Sequence, residues 1–135
     1  EILYKLKCQS ILAEIVHLLI LEIVQERSDH QLMGKIRPAV EIIERQYTES
    51  LSIETLAERC ALSTSHFRRL FRKAYGLSPQ QYLQNLRVNK AKDLIRSQLY
   101  TMTEVAERSG FTNIYYFSRS FRQATGVPPS EYGKL

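Results

Sequence analysis

The sequence has little of what chemistry or export needs. It holds two cysteines, Cys8 and Cys60, far apart and each inside a helical pattern. That excludes a disulfide framework and fits thiols kept reduced in a cytosol. The histidines His17, His30 and His66 are scattered and share no metal-ligand spacing with either thiol, so no metal is expected. No nucleophile–base pair and no glycine-rich phosphate loop is present, so the chain does not read as an enzyme and calls for no cofactor. No signal-peptide pattern is visible. The longest apolar stretch, residues 15–24, reads as too short to span a bilayer and contains His17 and Glu22, so no membrane partner is expected. No strand pattern occurs, which makes the expected fold class all-α.

What is there is basic and unevenly so. The net charge is +5 over 135 residues, and the apolar fraction of 44% is that of a folded protein rather than a disordered one. Residues 1–50 carry 6 Lys/Arg against 8 Asp/Glu, whereas residues 51–135 carry 13 against 6. A length of this order fits one domain or two small ones sharing a helix. The surplus of positive charge in the second part points to a polyanionic partner.

That basic part is one sequence idea written twice. Ala57-Glu58-Arg59 aligns with Ala106-Glu107-Arg108, Phe67 with Phe117, and Phe71-Arg72 with Phe121-Arg122. Gly76 aligns with Gly126, Pro79 with Pro129 and Tyr82 with Tyr132, and the second copy carries one extra residue before its long helix. Each copy reads as a helix-turn-helix, over about residues 51–76 and 100–126. In the first, Ser52 caps a short helix ending near Arg59, Cys60-Ala61-Leu62 turn, and Ser63 caps a helix over 64–75 that ends at Gly76. Phe67, Leu70, Phe71 and Ala74 form its inner stripe. Ser78-Pro79 opens a joining helix over about 79–97. In the second, Thr101 and Glu104 make a capping box, Gly110-Phe111 turn, and a helix over 113–124 turns Phe117, Phe121 and Ala124 inward. Pro128-Pro129 opens a last short helix whose Tyr132 packs back.

Upstream, residues 2–27 read as one helix. Leu12, Val16, Leu19 and Ile23 recur at spacings of four, three and four, and Ile11, Ile15, Leu18 and Ile20 widen the stripe. So broad an apolar surface needs cover on more than one side: an upstream domain, a second copy of the chain, or both, the alternative being that the helix packs on the basic, repeated part. Residues 28–34 lack periodicity and include Gly34, so they read as a linker, followed by a helix over about 35–47 with Pro38 in its first turn.

The outward faces of the two long helices carry the recognition chemistry. Opposite Phe67 and Phe71 lie Ser65, Arg68, Arg69 and Arg72, in a stretch with no acidic residue from 60 to 92. The matching face in the second copy is Ile114, Tyr115, Ser118, Arg119 and Arg122. Such helices can enter a major groove, where arginine hydrogen-bonds guanine O6 and N7 together and apolar groups meet thymine methyls. Arg72 and Arg122, deeper in their helices, suit phosphate. Ser52, Ser63, Thr101 and Thr112 sit at helix amino ends, placed for phosphate contacts, capping or both. Arg87, Lys90 and Arg96 on the joining helix are placed either to touch the DNA backbone or to pair with Asp93.

On these residues, about 35–135 resembles the DNA-binding domain of the AraC/XylS transcription regulators. The match runs through Leu56-Ala57, Ser63, Phe67, Leu70-Phe71, Gly76, Pro79, Tyr82, Arg87 and Ala91. It continues through Ala106, Gly110-Phe111, Phe117-Ser118-Arg119, Phe121-Arg122, Gly126, Pro129 and Tyr132. The resemblance implies seven helices, two recognition helices on a central one, and bacterial transcription control in the cytoplasm at the nucleoid, with double-stranded DNA and RNA polymerase as partners. It places base readers at Ser65, Arg68 and Arg69 and at Ile114, Tyr115 and Arg119. The position of Ser65 is often larger and that of Ile114 often polar in the family, so no operator can be borrowed. Residues 1–30 resemble the helix that ends the sensor domain of such regulators and usually dimerises. The expected organisation is therefore a terminal part of a dimerisation domain over 1–30 and a DNA-binding domain over 31–135. A small-molecule effector is expected only if an upstream sensor domain exists. The competing reading is a helical protein–protein module acting through the N-terminal helix.

Overall fold

The computed structural model describes residues 1–134, which form seven helices and, among the described residues, no strand. They are α1 (Ile2–Arg45), α2 (Ile53–Arg59), α3 (Thr64–Tyr75), α4 (Pro79–Ser97), α5 (Met102–Arg108), α6 (Ile114–Thr125) and α7 (Pro129–Tyr132).

The expected linker over 28–34 is not a loop: α1 runs through it without a break. Gln31, Leu32, Met33 and Lys35 are good helix formers, a single glycine costs only about 1 kcal/mol, and extending a helix is far easier than nucleating one. A Cβ built on Gly34 meets nothing within 4 Å, so no close contact requires glycine there. Pro38 accordingly lies inside the helix rather than in a first turn, and has no N–H for the carbonyl of Gly34 four residues back. The length of the 15–24 stretch does not by itself exclude a span, because polar residues within the longer helix do not bring its average hydropathy below that of a membrane helix. An eighteen-residue window of α1 reaches a mean hydropathy of 1.5 with at most two charged residues, enough by length and composition to cross a membrane.

The chain divides into two compact units, Glu1–Lys35 and the part from Ile36 onward. In the first, Leu12, Val16, Leu19 and Ile23 are all exposed. The second has two hydrophobic cores. One joins Ile36, Ala39, Val40 and Ile43 of α1 to Ile53, Leu56 and Ala57 of α2 and to Phe67 and Phe71 of α3. The other joins Val88, Ala91 and Ile95 of α4 to Val105 and Ala106 of α5 and to Phe111, Phe117 and Phe121. α4 serves both: Tyr82, Leu83 and Leu86 near its start pack on the first core, and Val88 onward builds the second.

The repeat survives as matching aromatic geometry. Phe67 and Phe71 meet edge to face at 5.7 Å and 62°, Phe117 and Phe121 at 5.8 Å and 62°. Tyr82 closes the first pair at 5.5 Å from Phe71, and Tyr132 the second at 5.2 Å from Phe121. The four phenylalanines are fully buried, so truncating any one to alanine should cost about 3–5 kcal/mol, a large share of a small domain's stability. The inner stripes of the two long helices differ at two positions, one of them against expectation. Ala124 is exposed, and Ser120, the partner of Leu70, is buried at 3% exposure.

Candidate nucleic-acid interface

Each recognition helix is started and stopped by local chemistry. Ser63 opens α3 by accepting the amide of His66 at 3.2 Å, and Gly76 ends it in the left-handed region at φ 72°. α6 ends the same way at Gly126, φ 84°, but its start differs from expectation. The cap is Asn113, whose Oδ1 accepts the amides of Tyr115 and Tyr116 at 2.8 and 3.2 Å. Thr112 is therefore not a helix cap; it is the extra residue of the second copy, and it is exposed. The signal for Asn113 was in the sequence, since it precedes Phe117 by four residues as Ser63 precedes Phe67.

The short helices hold the expected caps. Ser52 accepts the amide of Thr55 at 3.1 Å. Thr101 accepts the amide of Glu104 at 3.2 Å, and Glu104 accepts the amide of Thr101 at 2.9 Å. α4 opens with a reciprocal box between Ser78 and Gln81. Capping oxygens point at their own helix, yet the amides of Ile53 and Glu54 in α2 and of Met102 and Thr103 in α5 have no intrahelical partner and stay available to an anion.

The outward stripes are outward. Ser65, Arg68, Arg69 and Arg72 on α3 are exposed, as are Ile114, Tyr115, Ser118, Arg119 and Arg122 on α6. Tyr115 stands out at 78% exposure, a large aromatic with no cover. Its neighbour Tyr116, absent from the sequence expectation, packs on Phe111 at 6.0 Å and its hydroxyl donates to Gln84 of α4 at 3.1 Å. The ion pairs among the described residues join Glu1 to Lys5, Arg37 to Glu41 and Asp93 to Arg96, so none consumes a recognition-helix arginine. Five guanidiniums without internal partners on two exposed faces are suited to an external anion.

The joining-helix cations behave differently from one another. Arg96 pairs with Asp93 at 3.7 Å and stacks over the ring of Tyr132. Lys90 lies 5.7 Å over the ring of Tyr47. Arg87 does not pair with Asp93: it donates through Nε to the carbonyl of Tyr47 at 2.6 Å and through a terminal nitrogen to that of Glu49 at 2.9 Å. Burial lowers its pKa from the ordinary arginine value, and Tyr116 opposes that shift. In the second helix-turn-helix Arg108 stacks on Tyr100 at 4.3 Å. Among the described residues no group of three or more His, Cys, Asp or Glu is placed to hold a metal.

Residues 56–134 match a family described as a helix-turn-helix domain. The chain is 32% identical over 120 residues to the uncharacterised HTH-type transcriptional regulator YobQ of Bacillus subtilis, covering 89% of this chain and 48% of that protein. It is 33% identical over 103 residues to the transcriptional activator RhaS of Escherichia fergusonii, covering 76% and 37%. The chain thus spans about half or less of the length of these curated relatives. Among solved structures it is similar to the C-terminal domain of AraT, a response regulator from Geobacillus stearothermophilus, with a TM-score of 0.70 and 31% identity over 74% of this chain and 84% of that one. It is also similar to the DNA-binding domain of the global transcriptional factor AdpA in complex with a target DNA, with a TM-score of 0.65 and 33% identity over 72% and 90%. With this match in sequence, helix order and duplicated unit, the chain belongs to the AraC/XylS family of transcriptional regulators.

Proposed function

We propose that this chain binds double-stranded DNA sequence-specifically in bacterial transcription control, inserting α3 and α6 into adjacent major-groove segments. The observation that carries the reading is the pair of matched, exposed, arginine-bearing faces on helices joined through α4. Ser65, Arg68 and Arg69 read bases from the first helix, and Ile114, Tyr115, Ser118 and Arg119 from the second. Arg72 and Arg122 hold phosphate, helped by the helix starts at Ser52, Ser63 and Thr101; exposed Thr112 supplies a hydroxyl beside them. The DNA-bound AdpA neighbour supports this reading. On this reading the chain acts inside the cell, at the nucleoid, with RNA polymerase as its protein partner. A small-molecule effector enters only through an upstream sensor domain.

The exposed apolar stripe of α1 supports a protein-interaction role beside DNA binding. Leu12, Val16, Leu19 and Ile23 follow the four-three-four spacing of a coiled-coil seam, so residues 2–27 form a homodimer through that stripe.

Selection from a random duplex pool, followed by footprinting, tests the DNA reading. Two protected major-groove segments about 34 Å apart on one face are expected. A single protected segment, or no preference over random duplex, would overturn it.

A further inference from the structure

The two turns of the repeat adopt the same unusual backbone with different residues. Ala61 takes φ 55° in the first and Gly110 takes φ 96° in the second. Ala61 lies in the left-handed region that an alanine can enter, whereas φ 96° at Gly110 lies beyond it and already favours glycine. Gly110 is further set apart by a close approach: a Cβ there would lie 2.6 Å from the carbonyl oxygen of Tyr47, 2.9 Å from Nε of Arg87 and 3.0 Å from Cα of Thr48. The turn of the second helix-turn-helix is thus pressed directly onto the loop that precedes the first. Arg87 lies in the seam and donates to the carbonyls of Tyr47 and Glu49 in that same loop. Its hydrogen-bond partners are neutral, so this half-buried cation is held by two backbone oxygens and not by an ion pair. The two hydrophobic cores are separate clusters that share α4, which alone would leave the units joined by a single rod.

We propose that Arg87 and Gly110 form a latch that fixes the separation and twist at which the two recognition helices meet DNA. They are positioning residues: they set which half-site spacing is accepted without touching a base. A guanidinium suits the task because its fixed fork addresses two carbonyls at once, which the point charge of lysine does not. The inference rests on the two-groove reading above.

The test uses the whole chain and a duplex it selects, with one base pair inserted or deleted between the two sub-sites. Each such change moves them by about 3.4 Å and roughly a tenth of a turn. For the unmodified chain we expect either change to weaken binding at least about tenfold, comparable to losing a good base contact. In Arg87→Met and Gly110→Ala the penalty should shrink to about threefold or less while affinity at the native spacing falls, because a looser pair must be ordered on binding. Helical content and the thermal transition are followed in parallel. Arg87→Lys, the mildest change, keeps the charge and should still relax spacing discrimination. Full discrimination in folded Arg87→Lys would show that charge suffices and would overturn the latch. Unchanged discrimination in folded Arg87→Met or Gly110→Ala would overturn it too, with the two-groove reading intact. A single protected segment for the unmodified chain would remove both.

Discussion

Ser63 and Asn113 hold the same post in the two units, each four residues ahead of the first buried phenylalanine of its recognition helix, and each accepting first-turn amides. Thr112 is the residue that makes room for this equivalence. Asn113→Ala should therefore lower stability by about 1 kcal/mol, the usual worth of a cap, and Thr112→Ala should stay within about 0.5 kcal/mol of the unmodified chain. Urea melts of both variants check it. A larger loss for Thr112→Ala would move the cap.

Arg68→Ala and Arg119→Ala should each cost about 1–3 kcal/mol on the selected duplex and relax base preference at one position of the site. Arg72→Ala should instead weaken all sequences about equally and flatten the dependence of affinity on salt. Repeating the selection with each variant separates the classes; unchanged preferences for Arg68→Ala and Arg119→Ala would remove both residues from readout.

The stripe on α1 makes a separate claim. Leu19→Glu with Ile23→Lys should lower self-association while leaving the DNA-binding unit folded, since neither residue belongs to its cores. Sedimentation over a range of concentrations reads this out. Because α1 is also long and apolar enough to cross a membrane, the same chains are floated with neutral lipid vesicles. Capture of the unmodified chain by vesicles, with no dimer in their absence, would replace the coiled-coil reading.

Tyr82 ties α4 to α1 through a hydroxyl that donates to Glu44 at 3.3 Å. Burial, and then the Glu44 carboxylate, push its pKa above the ordinary value of 10.0. The folded state holds this proton more tightly than the unfolded chain. Its contribution is complete below the unfolded pKa and is lost as pH rises through the folded one. Stability should fall above about pH 10, and Tyr82→Phe should flatten that fall. Urea midpoints between pH 8 and 11 decide it; an unchanged slope in Tyr82→Phe would exclude this phenol.

The repeated units were legible because their signals are local. Caps at Ser52, Ser63 and Thr101, stops at Gly76 and Gly126, and the spacing of phenylalanines each act within a turn or two, and the helices and buried faces follow them. The exposed arginine faces were legible by subtraction, as what the buried faces leave out. The stretch over 28–34 was not, because a polar segment with one glycine has no periodicity to declare, and helix continuation depends on what flanks it. The role of Arg87 was hidden for another reason. Its acceptors lie 40 and 38 residues away and are backbone carbonyls, which every residue carries and no side-chain pattern marks.

The near-identical phenylalanine geometry of the two units has a consequence for how such a protein can change its target. The paired phenylalanines and their closing tyrosines coincide, while Ser65 faces Tyr115 across the alignment and Arg68 faces Ser118. A duplicated scaffold with a shared aromatic centre lets each outer face drift alone, since exposed substitutions away from caps cost little stability, about 0.5 kcal/mol or less. Half an operator can then be rewritten while the other half keeps the protein on its promoter, and transplanting a handful of outward side chains between the units should move a preference without rebuilding a core.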